Sequence, residues 1–132
     1  MIKNYIIGRI EKIDIPLFEI KDLEVKIDTG AYTSSIDCYK ISQEGKLLKF
    51  KVLDDEHPLF TNNWYVFENW KTTKVTSSNG QEEERYLINL DIKFGDEVVE
   101  TEFTLSDRSK MKYPVLIGRK TIPKGWLVDV HQ

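Results

Sequence analysis

The 132-residue sequence holds one cysteine, one alanine, two histidines, four prolines and four arginines, and no apolar run longer than five residues. Each scarcity excludes something. A lone Cys38 rules out an internal disulfide framework and any multi-cysteine zinc site, and suits a reducing compartment. Two histidines, His57 and His131, with no His-Glu-x-x-His pattern, leave too few ligands for a catalytic zinc, which takes three from the protein. Both read as solvated surface residues. No glycine-rich loop ending in Lys-Ser/Thr is present to cradle ATP phosphates, so neither a metal nor a nucleotide cofactor is expected of this chain. Short apolar runs exclude a membrane-spanning helix. Residues 1–7 lack the long apolar core and cleavage site of a secretory leader, so a soluble cytoplasmic protein is expected. With 19 basic against 22 acidic residues, a net charge of −3 and a pI near 5.5, a bulk nucleic-acid binder is not expected.

The near-absence of alanine also bears on fold. Ile, Val and Thr number 14, 9 and 9 against Ala31 alone. Alanine is the best helix former, whereas β-branched side chains prefer the pleated surface of a sheet. An all-β chain follows, a single domain over residues 1–132. The only helix expected is a short one near residues 119–122, ended by Pro123 and Gly125.

What is present agrees. Tyr86, Ile88, Leu90, Ile92 and Phe94 alternate with Leu87, Asn89, Asp91 and Lys93, the period of a strand with one buried face. Gly95-Asp96 turns the chain, and Val99, Thr101, Phe103 and Leu105 return it. Glu44-Gly45 precedes a second alternation, Leu48, Phe50 and Val52. Asn79-Gly80 marks a third turn inside the polar stretch 74–84. Further strands are expected over 5–15, 24–28, 35–41, 64–70, 115–117 and 126–130. Trp64, Tyr65, Phe67 and Trp70 have no basic residue among them, so they predict core or dimer packing rather than base stacking. The acidic runs 54–56 and 82–84 read as solvated loops, and Cys38 as buried packing.

Chemistry concentrates in Val25-Lys26-Ile27-Asp28-Thr29-Gly30-Ala31. A strand runs into a carboxylate, a hydroxyl and a glycine: Asp28 at the strand's end, Gly30 for a sharp turn, Thr29 to lock it. An ordinary Asx-type turn closing a strand would read the same way. About one chain in sixty of this length carries three such residues by chance. A second segment, Tyr113-Pro114-Val115-Leu116-Ile117-Gly118-Arg119, ends an apolar strand in Gly-Arg.

Together these two segments resemble the retropepsin-like aspartic peptidases, with the hairpin 86–105 where that family has its central hairpin and residues 77–81 where it has a flap. Ile7-Gly8-Arg9, Thr33-Ser34-Ser35, Asp107-Arg108 with Met111, and Leu127-Val128-Asp129-Val130 narrow the resemblance to one bacterial group, labelled ATP-dependent zinc protease or RimK-associated retropepsin-like peptidase. Tyr32 stands where that group usually has a basic residue, and Asp37 where a histidine is frequent.

The resemblance implies a closed β-barrel that is half of an acid protease. One Asp-Thr-Gly per chain implies a homodimer in which two Asp28 carboxylates share a proton, the arrangement for which aspartic proteases are the standard example. It implies catalytic roles for Asp28, Thr29 and Gly30, substrate contacts for Ala31, Thr33, Arg85 and Arg108, and support of the loop and dimer by Gly118 and Arg119, the last through ion pairing. Arg85 and Arg108 could equally be solvated surface charges. The implied substrate is a peptide or protein tail, specifically a glutamate-extended one, and the implied pathway partner is a RimK-type ATP-grasp ligase. The alternative is a catalytically silent β-barrel protein-binding module that keeps the loop as scaffold. No nucleic-acid or membrane partner is expected.

Overall fold

The computed structural model describes residues 6–76, 79–106, 112–129 and 131. Eleven strands run in chain order: β1 (Ile6–Ile7), β2 (Ile10–Ile15), β3 (Ile20–Ile27), β4 (Ser34–Glu44), β5 (Leu47–Val52), β6 (Tyr65–Phe67), β7 (Lys71–Thr76), β8 (Glu82–Phe94), β9 (Glu97–Ser106), β10 (Val115–Ile117) and β11 (Leu127–Val128). The single helical piece among the described residues is a 3₁₀ turn, Pro16–Phe18, between β2 and β3. The helix expected near 119–122 is instead a pair of successive turns, Thr121 N–H to Gly118 O and Ile122 N–H to Arg119 O. Pro123 cannot donate the next rung, so the turns do not propagate. No helix among the described residues is long and apolar enough to cross a membrane.

Hydrogen bonding runs β10–β3–β2–β8–β9–β4, and β4 pairs back onto β10, so the sheet closes on itself. Closure leaves those strands without free edges. The β4–β9 and β10–β3 pairings are parallel, while the hairpins are antiparallel. Beyond β4 the sheet continues through β5 to β6, and β7 hangs on β8.

Local chemistry explains the hairpins. Both β4–β5 and β8–β9 close through two-residue loops, Gly45-Lys46 and Gly95-Asp96, whose glycines have φ of 62° and 61°. Lys46 and Asp96 keep negative φ, so both loops suit a type II′ turn, which wants glycine first and matches the strand twist. The expected strand over 5–15 breaks at Gly8-Arg9. There β1 leaves its partner β11, Gly8 N–H bonds Glu11 Oε1 at 2.7 Å, and Arg9 O accepts from Ile27. Tyr5 and Val130 lie outside the described residues.

The polar stretch 74–84 is not simply a loop. It forms the outer arms of a hairpin in which Lys71 to Thr76 pair with Leu87 down to Glu82. Thr and Lys there alternate with little apolar contrast, because this arm stands off the barrel with both faces largely exposed.

Inside, Phe18, Phe50 and Phe103 are fully buried with Ile13, Ile15, Leu23, Ile36 and Ile88. Tyr65 and Phe67 pack on this core, with ring centroids 4.6 Å from Phe18 and 5.5 Å from Phe50. Trp70 packs edge-on against Tyr86. Trp64, expected in core or dimer packing, is exposed in the single chain and so is not part of this core. Cys38 is buried, and the loss of water together with neighbouring Asp37 pushes its thiol pKa well above the ordinary value.

Candidate active site

Strand β3 delivers Asp28 to the barrel's rim. Its last parallel rung to β10 is the Asp28 N–H donating to Ile117 O at 2.8 Å. The chain then turns on Asp28's own side chain: Gly30 N–H donates to Oδ1 at 3.0 Å, and Ala31 N–H donates to Asp28 O at 3.2 Å. The Asx turn is therefore real, and it orients the carboxylate. Oδ1 is held, while Oδ2 accepts no hydrogen bond from the described residues. A side chain at position 30 would start 3.3 Å from Oδ1, so glycine keeps that oxygen uncrowded. Thr29 contributes its carbonyl rather than its hydroxyl to the lock.

Residues 118–121 strap this loop down. Arg119 N–H bonds Ala31 O at 2.8 Å and Lys120 N–H bonds Tyr32 O at 2.9 Å. Gly118 N–H donates to Ser34 Oγ at 3.0 Å, and that hydroxyl shares a 2.7 Å hydrogen bond with Thr121 Oγ1 in a buried setting. The approach is so close that a Cβ on Gly118 would lie 2.6 Å from Tyr32 O and 2.7 Å from the Thr33 carbonyl carbon. Arg119 crosses the loop and donates from Nη1 to Thr29 O at 2.8 Å. Within one chain this contact is a hydrogen bond to a carbonyl, not the ion pair that the resemblance implies. The guanidinium also lies 5.8 Å from the Tyr32 ring.

Beside the loop is a cleft of about 440 Å³ between the barrel rim and the β7–β8 hairpin. Ala31, Thr33 and Arg85 meet there, brought together from β8 and the Asp28 loop, with Lys74 and Thr76 opposite on β7. Arg85 is half-buried; its Nη2 reaches Glu83 Oε2 at 3.3 Å, and its Nε is buried without a hydrogen-bond partner among the described residues. Arg108 and Ser77 lie outside the described residues, whereas Asn79, Gly80 and Gln81 follow in the turn of this hairpin. Sequence reasoning missed Thr73 to Thr76 as cleft residues; the weak Thr73/Val75 alternation was the available signal.

Asp37, noted at a variant position, is buried on β4. Its N–H donates to Pro114 O and its carbonyl accepts from Leu53, so it ties β4 to both neighbouring segments. Among the described residues no three His, Cys, Asp or Glu side chains come together as a metal site.

His131 is exposed, whereas His57 is partly buried and its Nδ1 accepts the Leu59 N–H at 3.0 Å. Burial lowers the His57 pKa from its ordinary 6.5, opposed by the Asp54 charge. The unfolded chain therefore takes up the proton first as pH falls. Stability from this group is complete above about pH 6.5 and is lost as pH drops through the lower folded value. His57→Gln is expected to flatten the fall of the urea midpoint between about pH 7 and 5. Equal slopes in wild type and variant would disprove the assignment.

Comparison with known proteins agrees with this fold. The RimB-like family profile, described as retropepsin-like aspartic endopeptidase RimB, matches residues 6–132. The chain is 30% identical over 130 residues, 96% of its length, to a "Probable alpha-L-glutamate ligase" of Shewanella pealeana, and 28% identical over 137 residues to one of Parasynechococcus marenigrum. It spans only 28% of the length of each of these relatives. The crystal structure of a protein of unknown function (DUF785) from Legionella pneumophila superposes with a TM-score of 0.75 and 29% identity, covering 98% of this chain and 96% of that one. The chain belongs to the RimB-like family of retropepsin-like aspartic endopeptidases.

Proposed function

We propose that the chain is a homodimeric aspartic peptidase, acting in the cytoplasm on glutamate-extended protein tails. The observation that carries this reading is the Asp28 loop: a carboxylate at the barrel rim, one oxygen anchored and one open, beside a cleft holding Arg85. One chain supplies one such carboxylate, so the chemistry needs a second copy across a twofold axis. Ile6 and Leu127, register partners in the small β1–β11 sheet, are 63% and 62% exposed and offer apolar surface for that contact.

In the pair, one ionised Asp28 takes a proton from water as the water oxygen attacks the substrate carbonyl carbon. The protonated Asp28 gives its proton to the carbonyl oxygen. Collapse of the tetrahedral intermediate breaks the C–N bond, the amine leaves with the proton gained from water, and one hydroxyl proton of the diol returns to the second Asp28 as the C=O bond reforms, which restores the dyad. Turnover needs one carboxylate ionised and the other protonated, so the expected pH–rate profile is bell-shaped. Within this cleft, Ala31 and Thr33 line the peptide path, and Arg85 offers forked donors to a substrate carboxylate. Support for a glutamate-rich substrate comes from relatives named as glutamate ligases that contain the same unit: a peptidase joined to such a ligase would cut the bonds it makes.

Sedimentation velocity together with cleavage of a peptide library that includes glutamate-tailed members tests this reading. A dimer that cuts the glutamate-tailed peptides is expected. A strict monomer would sink the dyad, and a dimer that cuts only other peptides would remove the glutamate assignment.

A further inference from the structure

Away from the cleft, the β4–β5–β6 ribbon carries a patch unlike the rest of this acidic chain. Trp64 is 43% exposed, and Lys49 Nζ and Lys51 Nζ lie 4.3 Å and 4.7 Å from its ring centroid. Register explains the arrangement: Lys49 stands across from Val66, and two residues further along the antiparallel pair Lys51 comes level with Trp64, while on the other side Lys51 pairs with Tyr39. Val66 and Tyr39 are themselves exposed, at 53% and 37%, and Lys40 adds a third cation over the Tyr39 ring. Lys51 is only 8% exposed, with Nζ fixed by Asn62 Oδ1 at 2.5 Å. Among the described residues neither Lys49 nor Lys51 forms an ion pair, although acidic residues outnumber basic ones in the chain. Glu44 stands across from Leu47 at the far end of the ribbon.

β6 is the outermost strand of the sheet, so its outer edge pairs with no other strand among the described residues. A free edge beside apolar side chains is a site where an extended peptide can add as a further strand.

We infer that this ribbon is an exosite for an extended acidic segment of a polypeptide, its carboxylates drawn to Lys49, Lys51 and Lys40 and its aliphatic stems laid against Trp64 and Val66. The inference rests on the proposed function in taking a polypeptide as the substrate. Charge decides the class of partner: two lysines without carboxylate partners, one of them nearly dehydrated, are complementary to acidic side chains. A polynucleotide fits less well, because the unpaired β6 edge offers main-chain groups that an extended peptide can pair with and a phosphate backbone cannot. Tyr39 lies four residues along β4 from Ser35, which lines the cleft, about 13 Å of extended strand. One tail of modest length could therefore occupy both places.

The test is a titration of the full chain carrying Asp28→Asn, which prevents turnover, with hexaglutamate, hexaglutamine and a short oligothymidylate, following the indole N–H resonances by NMR. Hexaglutamate is expected to shift the Trp64 resonance more than those of Trp70 and Trp126, saturably and more weakly at high salt. Lys49→Glu is expected to weaken it about tenfold or more, and Trp64→Ala to weaken it as measured by calorimetry, with circular dichroism unchanged in both. An unmoved Trp64, equal shifts with hexaglutamine, unchanged affinity in folded Lys49→Glu, or tighter binding of the oligothymidylate would each overturn the proposal. Binding is read without cleavage, so its failure is separable from failure of the peptidase reading: wild type that cuts nothing yet binds hexaglutamate keeps the exosite and loses the peptidase.

Discussion

Asp28→Asn is expected to lower peptide hydrolysis by at least about 10³-fold, within the range that proton-transferring side chains supply. Asparagine keeps the shape of the side chain and an oxygen that can accept the Gly30 N–H now bonded to Oδ1. The turn, the β3–β10 rung at Ile117 O and the strap from residues 118–121 are therefore preserved. The lost function is the ability to hold and release a proton at Oδ2, the oxygen that no described residue engages. The variant should match wild type in thermal midpoint and sedimentation coefficient while losing turnover. Full activity in a folded, dimeric variant would mean that some other group activates the water.

Gly118→Ala is expected to be strongly destabilising. The added methyl would meet Tyr32 O, the Thr33 carbonyl carbon and Thr33 O at 2.6, 2.7 and 2.8 Å. All three are backbone atoms, so no side-chain rotation relieves the clash, and one of two segments must move. Overpacking of this kind costs about 1–3 kcal/mol, at times more. Movement of residue 118 also pulls on its hydrogen bond to Ser34 Oγ, and so on the buried pair with Thr121. Because the neighbouring Arg119 and Lys120 N–H groups hold the Ala31 and Tyr32 carbonyls, the displacement reaches Asp28. Urea unfolding should show the stability loss, and turnover should fall with it. A loss below about 0.5 kcal/mol, the size of an ordinary surface change, would show that the loop yields freely.

Much of this was legible beforehand because it depends on neighbours in sequence. The β8–β9 hairpin announces itself through strict alternation around Gly95, and the turn at Gly45 through the conformation glycine alone takes cheaply. The Asp28 turn is also local, since its side chain bonds the backbone two residues on. The arm 71–76 was hidden because only Thr73 and Val75 are partly buried there, which leaves little apolar contrast to alternate.

Residue order alone determined an all-β chain, the carboxylate loop and the Gly-Arg strand that answers it. Only the tertiary structure decided that β4 runs parallel to β9 and closes on β10, that Gly118 presses on the Thr33 carbonyl, and that Arg85 meets Ala31 across a cleft. It alone set Lys49 and Lys51 over the Trp64 ring. These contacts join residues far apart in the chain. They are settled by which apolar faces must meet to close the barrel, a condition that no short stretch of sequence contains.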